Sequence, residues 1–186
     1  MAIETFLKLG TIEGESVDEA KHFRDAMDGE TSSGTHQKEI EVLDWQWGLV
    51  NNAPIEMTSA EATTKTTAND LVITKAIDHA SGTLMQFCAL GEHIPSGQLT
   101  CRKNAGDSKF EFLVIELTDV KIVSVVWDRS AENYRGETLT LRFSEFKVKY
   151  KQQVNTGAVT SKDPAKGVVE FHFNIPHHRM HHQHHR

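Results

Sequence analysis

The sequence predicts a mainly β fold: a bent, barrel-like sheet with one short helix and long polar loops. Three observations carry this. Apolar residues recur with period two in segments spread along the whole chain, two of those segments change their apolar face partway, and one segment alone has helical period. Taken in order, Ile3 to Leu9 alternates as a first strand, with Thr5, Leu7 and Leu9 on one face and Phe6 and Lys8 on the other. Glu39 to Trp47 reads as a second strand. Its Ile40 and Val42 share one parity, while Leu43, Trp45 and Trp47 share the other. Strict alternation cannot bury both sets, so a β-bulge or a strand apolar on both faces is required.

Phe110 to Val126 is a long apolar region interrupted by Thr118-Asp119, which predicts one long strand or two consecutive ones. The face changes again where Leu139, Leu141 and Phe143 give way to Phe146, Val148 and Tyr150. Two slips of this kind point to a bent sheet rather than a flat one. Val169, Phe171, Phe173 and Ile175 alternate with Glu170, His172 and Asn174, a closing strand with one buried face. The helical segment follows Ser81, read as its N-cap. Leu84, Phe87, Cys88 and Gly91 stand at i, i+3, i+4 and i+7, which predicts about two turns stopped by Gly91. Val17 to Gly34, Asn51 to Asn69 and Lys151 to Lys166 read as loops.

At 186 residues the chain fits one domain with a sizeable core. Apolar residues make up 38% and charged residues 25%, with 20 Lys and Arg against 26 Asp and Glu. A net charge of −6 opposes nucleic-acid binding, which needs a basic stripe. No apolar run approaches the roughly 20 residues that span a bilayer, so no membrane insertion is expected. The start, Met1 to Phe6, lacks the basic and apolar regions of a secretory signal peptide. Synthesis in the cytoplasm and export by a route that reads no N-terminal signal are therefore expected. Cys88 and Cys101 have no CxxC spacing, which argues for free buried thiols over a disulfide scaffold or thiol metal site.

The ordered series of segments is more specific than any one of them. Phe6-Leu7-Lys8-Leu9 precedes Gly14-Glu15-Ser16, and Glu39 to Gly48 is an acidic-hydrophobic strand ending in Trp45-Gln46-Trp47-Gly48. Asp70 to Asp78, the helix from Thr83 to Leu90, Gly91-Glu92-His93-Ile94 and Leu99 to Lys103 follow. Glu111 to Glu116, Ser124-Val125, Glu137 to Phe143 and Phe171 to Ile175 complete it. This series resembles the haemolysin-coregulated protein (Hcp) family, the tube proteins of the bacterial type VI secretion apparatus, over about residues 1–175.

The resemblance implies a compact β-barrel of two packed antiparallel sheets with a short flanking helix. It implies a homohexameric ring whose copies stack head to tail into a tube, inside a sheath, behind a spike protein, and able to carry small effector proteins in its lumen. It implies no catalytic residue and no cofactor. The extended loop, residues 51–69, falls between stacked rings, which singles out Pro54, Ile55, Glu56, Met57 and Thr58. Gln46, between the two tryptophans, falls at the lumen as a cargo contact. Relative to the family, Asp18 to Gly34 stands as an insertion and the stacking loop is rich in Thr.

Of the 11 histidines, His177, His178, His181, His182, His184 and His185 crowd the tail, residues 176–186. Clustered neutral imidazoles bind zinc, copper or nickel, but no carboxylate or cysteine joins them, so a disordered tail without a functional metal is expected. An alternative function class is a β-barrel binding module made metal-responsive by that tail. Trp45 and Trp47 suit core or subunit contact better than sugar or base stacking. His79 and His93 could pair with Asp78 or Glu92 as acid–base groups, but a surface histidine near a helix end is the commoner case. No nucleophile elbow, P-loop, dinucleotide fingerprint or HExxH occurs, and the stretch after Ile175 is too short for a fused catalytic domain.

Overall fold

The computed structural model describes residues 3–14, 36–105, 108–130, 133–152, 168–176 and 179–180. The insertion Asp18 to Gly34, most of Lys151 to Lys166 and the six tail histidines lie outside the described residues.

Strand β1 (Ile3–Leu9) forms where the alternation puts it. On one side it pairs with β2 (Ile40–Val42), Thr5 opposite Val42 and Leu7 opposite Ile40. On the other it pairs with β7 (His93–Ala105), from Ile3 opposite Lys103 to Leu9 opposite Gly97. Leu7 and Leu9 are completely buried. Phe6 points the other way yet is buried too, because the His36 imidazole stacks flat on its ring at 4.8 Å between centroids.

The single second strand expected from Glu39 to Trp47 is two strands. β2 ends at Val42, and β3 (Asp44–Gln46) starts after Leu43. The parity conflict is resolved by a change of partner, not by a bulge: β2 pairs with β1, while β3 pairs with β6 (Leu71–Ala76), Asp44 opposite Thr74 and Gln46 opposite Val72. Leu43 is the pivot. Its N–H donates to the Thr74 carbonyl at 2.8 Å, and its side chain is left 61% exposed.

Beyond β3 the chain leaves the barrel as β4 (Leu49–Asn51), α1 (Ser59–Thr63) and β5 (Thr66–Ala68), so Asn51 to Asn69 is ordered rather than a plain loop. After β6, helix α2 (Ser81–Leu90) runs close to three turns. Ser81 is its first residue, not its cap; Ala80 caps it without a side-chain bond. The Ser81 hydroxyl instead accepts from the Asp78 N–H at 2.9 Å. Gly91 stops the helix with φ 63°, a left-handed conformation that suits glycine. Leu84 is buried, and the Cys88 thiol donates to the Val123 carbonyl.

β7, β8 (Ser108–Ser130) and β9 (Asn133–Lys151) form an antiparallel meander. β9 then serves two partners. Its first half pairs with β6, from Gly136 opposite Ala76 to Leu141 opposite Leu71. Its second half pairs with β10 (Val168–Asn174), which adds β11 (Arg179–Met180) at its far edge. The circuit β1–β7–β8–β9–β6–β3 is closed covalently through Leu43 to β2, giving a nearly closed, barrel-like sheet beside the small β4–β5 sheet. Closure of this kind removes most free strand edges.

Thr118-Asp119 does not divide β8. Asp119 takes φ 56° and flips the parity of a continuous strand, so that Leu117 and Val120 are both buried. Facing them, Phe146 pairs with Leu117 and Phe143 with Val120. The slip of β9 thus sits directly against that of β8, pinned by a hydrogen bond from the Ser144 hydroxyl to the Thr118 carbonyl at 3.2 Å. The core gathers around Leu7, Leu9, Ile73, Leu99, Leu117, Leu139 and Phe146. Each such side chain contributes about 1.5–3 kcal/mol of burial. The predicted closing face holds at Phe171, Phe173 and, just past the end of β10, Ile175; Val169 is exposed at the rim opposite Tyr150.

Candidate functional site

The residues expected at the ring-stacking position lie on an arm that leaves the barrel between Gly48 and Asn69. Its root is fixed by Trp47, which meets Phe146 edge-on at 4.7 Å between ring centroids and also touches Phe143. The Asn69 N–H donates to the Gly48 carbonyl at 2.9 Å. From there β4 and β5 form a two-stranded ladder, Leu49 opposite Ala68 and Asn51 opposite Thr66.

The end of the arm is organised by its own polar side chains. The Asn51 amide donates to the Ala62 carbonyl at 2.9 Å and to the Thr66 hydroxyl at 3.1 Å, while its carbonyl accepts from the Ala53 N–H at 2.8 Å. Thr58 caps α1 in a reciprocal box with Glu61: the Glu61 N–H donates to the Thr58 hydroxyl, and the Thr58 N–H to the Glu61 carboxylate. Thr63 and Thr64 donate to the Ser59 and Glu61 carbonyls. The Thr-rich composition is therefore the means by which a segment without buried helical residues stays ordered.

What the arm does not do is bury its apolar residues. Leu49 and Val50 are exposed, and Ile55, at the tip beside Pro54 and Glu56, has 100% of its surface open. Met57 is half-buried against Ala60 and Thr64. Gln46 sits on β3 with its side chain exposed. Trp45 and Trp47, on the opposite face, pack against the core. β3 pairs with β6 and with no second strand among the described residues.

A second surface lies where β1 runs past the end of β2. A cleft of about 440 Å³ opens there, lined by Ile3, Glu4, Val42, Leu43, Arg102 and Lys109 among others. Arg102 is almost fully buried. Its Nε donates to Glu4 at 2.6 Å, and its guanidinium lies 4.6 Å from the centre of the Phe6 ring. Next to it the buried His36 ring is held between two carboxylates, Glu39 on one nitrogen and Glu111 at 2.6 Å on the other. Burial alone lowers the His36 pKa, but the hydrogen bonds to Glu111 and Glu39 outweigh it and raise it to about 9.

A third polar cluster is internal. Lys75 and Glu137 face each other across β6 and β9 as a completely buried ion pair. Lys75 also donates to Asp78 at 3.0 Å and to the Ala76 carbonyl at 2.9 Å, and Glu137 accepts from the Trp127 indole at 2.8 Å. Sequence reasoning missed this cluster, the cleft and the capped end of the arm. Of the three, the Thr58 to Glu61 spacing was a readable signal.

His93 pairs with Asp119 at 2.7 Å on the surface, not with Glu92. Cys101 is buried, and burial pushes its thiol pKa up, while Cys88 is a half-buried free thiol. Among the described residues no three His, Cys, Asp or Glu side chains are grouped to hold a metal ion. The tail candidates His177, His178, His181, His182, His184 and His185 are outside those residues.

A nearly closed barrel presenting a self-capped arm, an open strand edge and a rim cleft defines a small β-barrel protein with outward-facing contact surfaces. Comparison with known proteins specifies the class. The family described as "Type VI secretion system effector, Hcp" matches residues 6–150. Protein hcp1 of Pseudomonas aeruginosa is 35% identical over 176 residues, 94% of this chain and 96% of that protein. The crystal structure of Hcp1 from Salmonella typhimurium aligns with a TM-score of 0.69 at 27% identity, covering 97% of this chain and 99% of that one. A type VI secretion system effector from Yersinia pestis aligns with a TM-score of 0.66 at 27% identity, covering 92% and 99%. The chain belongs to the Hcp family of type VI secretion proteins.

Proposed function

We propose that this chain is a subunit of the type VI secretion tube. Copies close into a ring of six, rings stack head to tail, and the tube travels inside a sheath behind a spike with effectors in its lumen. The role is structural rather than catalytic and uses no cofactor. The chain is made in the cytoplasm and leaves through the apparatus itself. Pro54, Ile55, Glu56, Met57 and Thr58 sit at the ring-to-ring contact, and Gln46 faces the lumen.

The observation that carries this reading is the arm. It is ordered by its own hydrogen bonds and leaves Ile55 wholly exposed. With Leu49, Val50 and Ile55 all exposed, the arm offers apolar surface for contact with another protein. Membership of the Hcp family supports a further copy of the chain as that protein.

Size-exclusion chromatography with light scattering, repeated with a chelator to remove cross-linking through the histidines, tests the ring. The expected mass is near six times 20.9 kDa. A chelator-resistant monomer at every concentration would refute the proposal. Exchange of Gln46 for a larger residue should change the retention of a bound effector without changing that mass.

A further inference from the structure

Two separate surfaces each leave branched apolar side chains open to solvent. The first is the tip of the arm. Ile55 is 100% exposed on a turn closed by a hydrogen bond from the Met57 N–H to the Pro54 carbonyl at 3.1 Å, next to the Thr58–Glu61 box. Its branched side chain therefore projects into solvent from a hydrogen-bonded turn, with Glu56 beside it.

The second is the cleft on the barrel. β2 stops at Val42 and the chain turns away at Leu43, so β1 at Ile3 and Glu4 has β7 on one side and no strand on the other among the described residues. Ile3 and Leu43 stand at the mouth, 60% and 61% exposed. The volume of about 440 Å³ falls within the roughly 300–1,000 Å³ of clefts that enclose small ligands. An isoleucine and its neighbours fit easily.

Among the described residues, none fills the cleft. The chain passes Leu43, continues through β3 and β4, and reaches Ile55 with that side chain touching nothing. We propose that the cleft receives Ile55 from the arm of a second copy of this chain. This rests on the tube reading above and names the surface on which the stacking arm lands. Ile55 meets Ile3 and Leu43, and Glu56 comes to Lys109.

The charges allow it. Arg102 donates to Glu4 at 2.6 Å, and Lys109 stands 3.6 Å from the same carboxylate, so two cations line this side of the cleft. Glu41 also lines the cleft, and its like charge sets the side on which Glu56 enters. A knob on one part of the surface and a hole on another make a heterologous contact. Each docked copy still offers an unused knob and an unfilled hole, so the contact propagates rather than closing as a pair. Repeated around a ring, contacts that are weak singly become strong together.

The test uses the full chain with Cys88→Ser as background. Leu43→Cys and Ile55→Cys are introduced together, the protein is concentrated, and a short bis-maleimide is added, which avoids the strict geometry of a disulfide. The expected result is a ladder of dimers, trimers and higher species, joined between positions 43 and 55 by peptide mass mapping and absent from either single variant. Ile55→Asp should leave the ring mass unchanged and abolish stacked tubes in electron micrographs. Stacked tubes without a 43-to-55 link would overturn the cleft assignment and leave the tube reading standing. Rings that never stack would overturn the assignment as well. A wild-type chain that stays monomeric would overturn both.

Discussion

The buried pair Lys75–Glu137 allows a quantitative test of what holds this barrel together. Both side chains have no exposure, and they face each other in register across β6 and β9. Removing one partner of a buried ion pair typically costs about 3–5 kcal/mol, because the survivor stays buried without its counter-charge. The two survivors are not equivalent here. After Glu137→Leu, Lys75 keeps Asp78 at 3.0 Å, a carboxylate itself 11% exposed, so the loss falls near the lower end, about 3 kcal/mol. After Lys75→Met, Glu137 keeps only neutral donors, the Trp127 indole and the Ser81 hydroxyl, and the loss falls near the upper end, about 5 kcal/mol. For a chain of this length each kcal/mol moves Tm by about 2–4 °C, so the larger loss is a fall of about 10–20 °C. The double variant removes both charges, and Asp78 retains the Ala80 N–H and the Ser81 hydroxyl as donors. It should lose clearly less than Lys75→Met alone, since no fully buried charge remains and the carboxylate that loses its cation, Asp78, is 11% exposed. Urea unfolding of all four proteins at one concentration gives the cycle. Single losses below about 1 kcal/mol, or a double variant as unstable as the two losses added, would refute the reasoning.

Three further outcomes follow from named contacts. The folded-state pKa of His36 is raised from 6.5 to about 9, so its stabilising contribution is fully present below pH 6.5 and is lost as pH rises through about 9. Urea midpoints should therefore fall by the equivalent of about 2–3 kcal/mol between pH 6 and pH 9.5, and His36→Gln should flatten that window. A Cβ at Gly14 would stand within 2.8 Å of the Ile40 Cα and against the Glu39 carbonyl, both backbone, so Gly14→Ala should cost about 2–3 kcal/mol and lower Tm in a thermal melt. Ile55→Asp touches nothing within its own molecule and should leave the urea midpoint of the unassembled chain within about 0.5 kcal/mol of the parent, whatever it does to stacking.

Much of the barrel was legible because alternation is dictated by burial. Ile3–Leu9 formed as read. The parity slips at Leu43 and at Phe143 to Phe146 marked the bends correctly, though not their form. A slip says that the buried face changes; it does not say whether the strand bulges, kinks or finds a new partner. At Leu43 the partner changes, and at Asp119 a left-handed residue turns the strand over. Those are long-range outcomes, fixed by Thr74 in one case and by Ser144 in the other. The polar network was illegible for a related reason. Nothing in the sequence pairs Lys75 with Glu137, and only the register of β6 on β9 places one against the other inside the barrel.

The arm shows where composition misleads. A run of Thr, Ala, Asn and Pro reads as a loop because it offers no apolar face to bury. That reading is right about burial and misses the short elements β4, α1 and β5, because Thr58, Glu61, Asn51 and Thr64 supply locally the bonds that a core would otherwise enforce. The capping spacing from Thr58 to Glu61 was visible, but its consequence for Ile55 was not, because exposure depends on nothing folding over it. A segment ordered without a core can point its apolar residues outward. The barrel meanwhile satisfies its charges inward, with Lys75, Arg102 and His36 each paired beneath the surface. The molecule thus departs from the usual placement twice: its tip offers an apolar side chain to water, and paired charges lie buried beside its apolar core. Such a tip loses its exposure only when another surface covers it, which is the contact the proposed tube would supply.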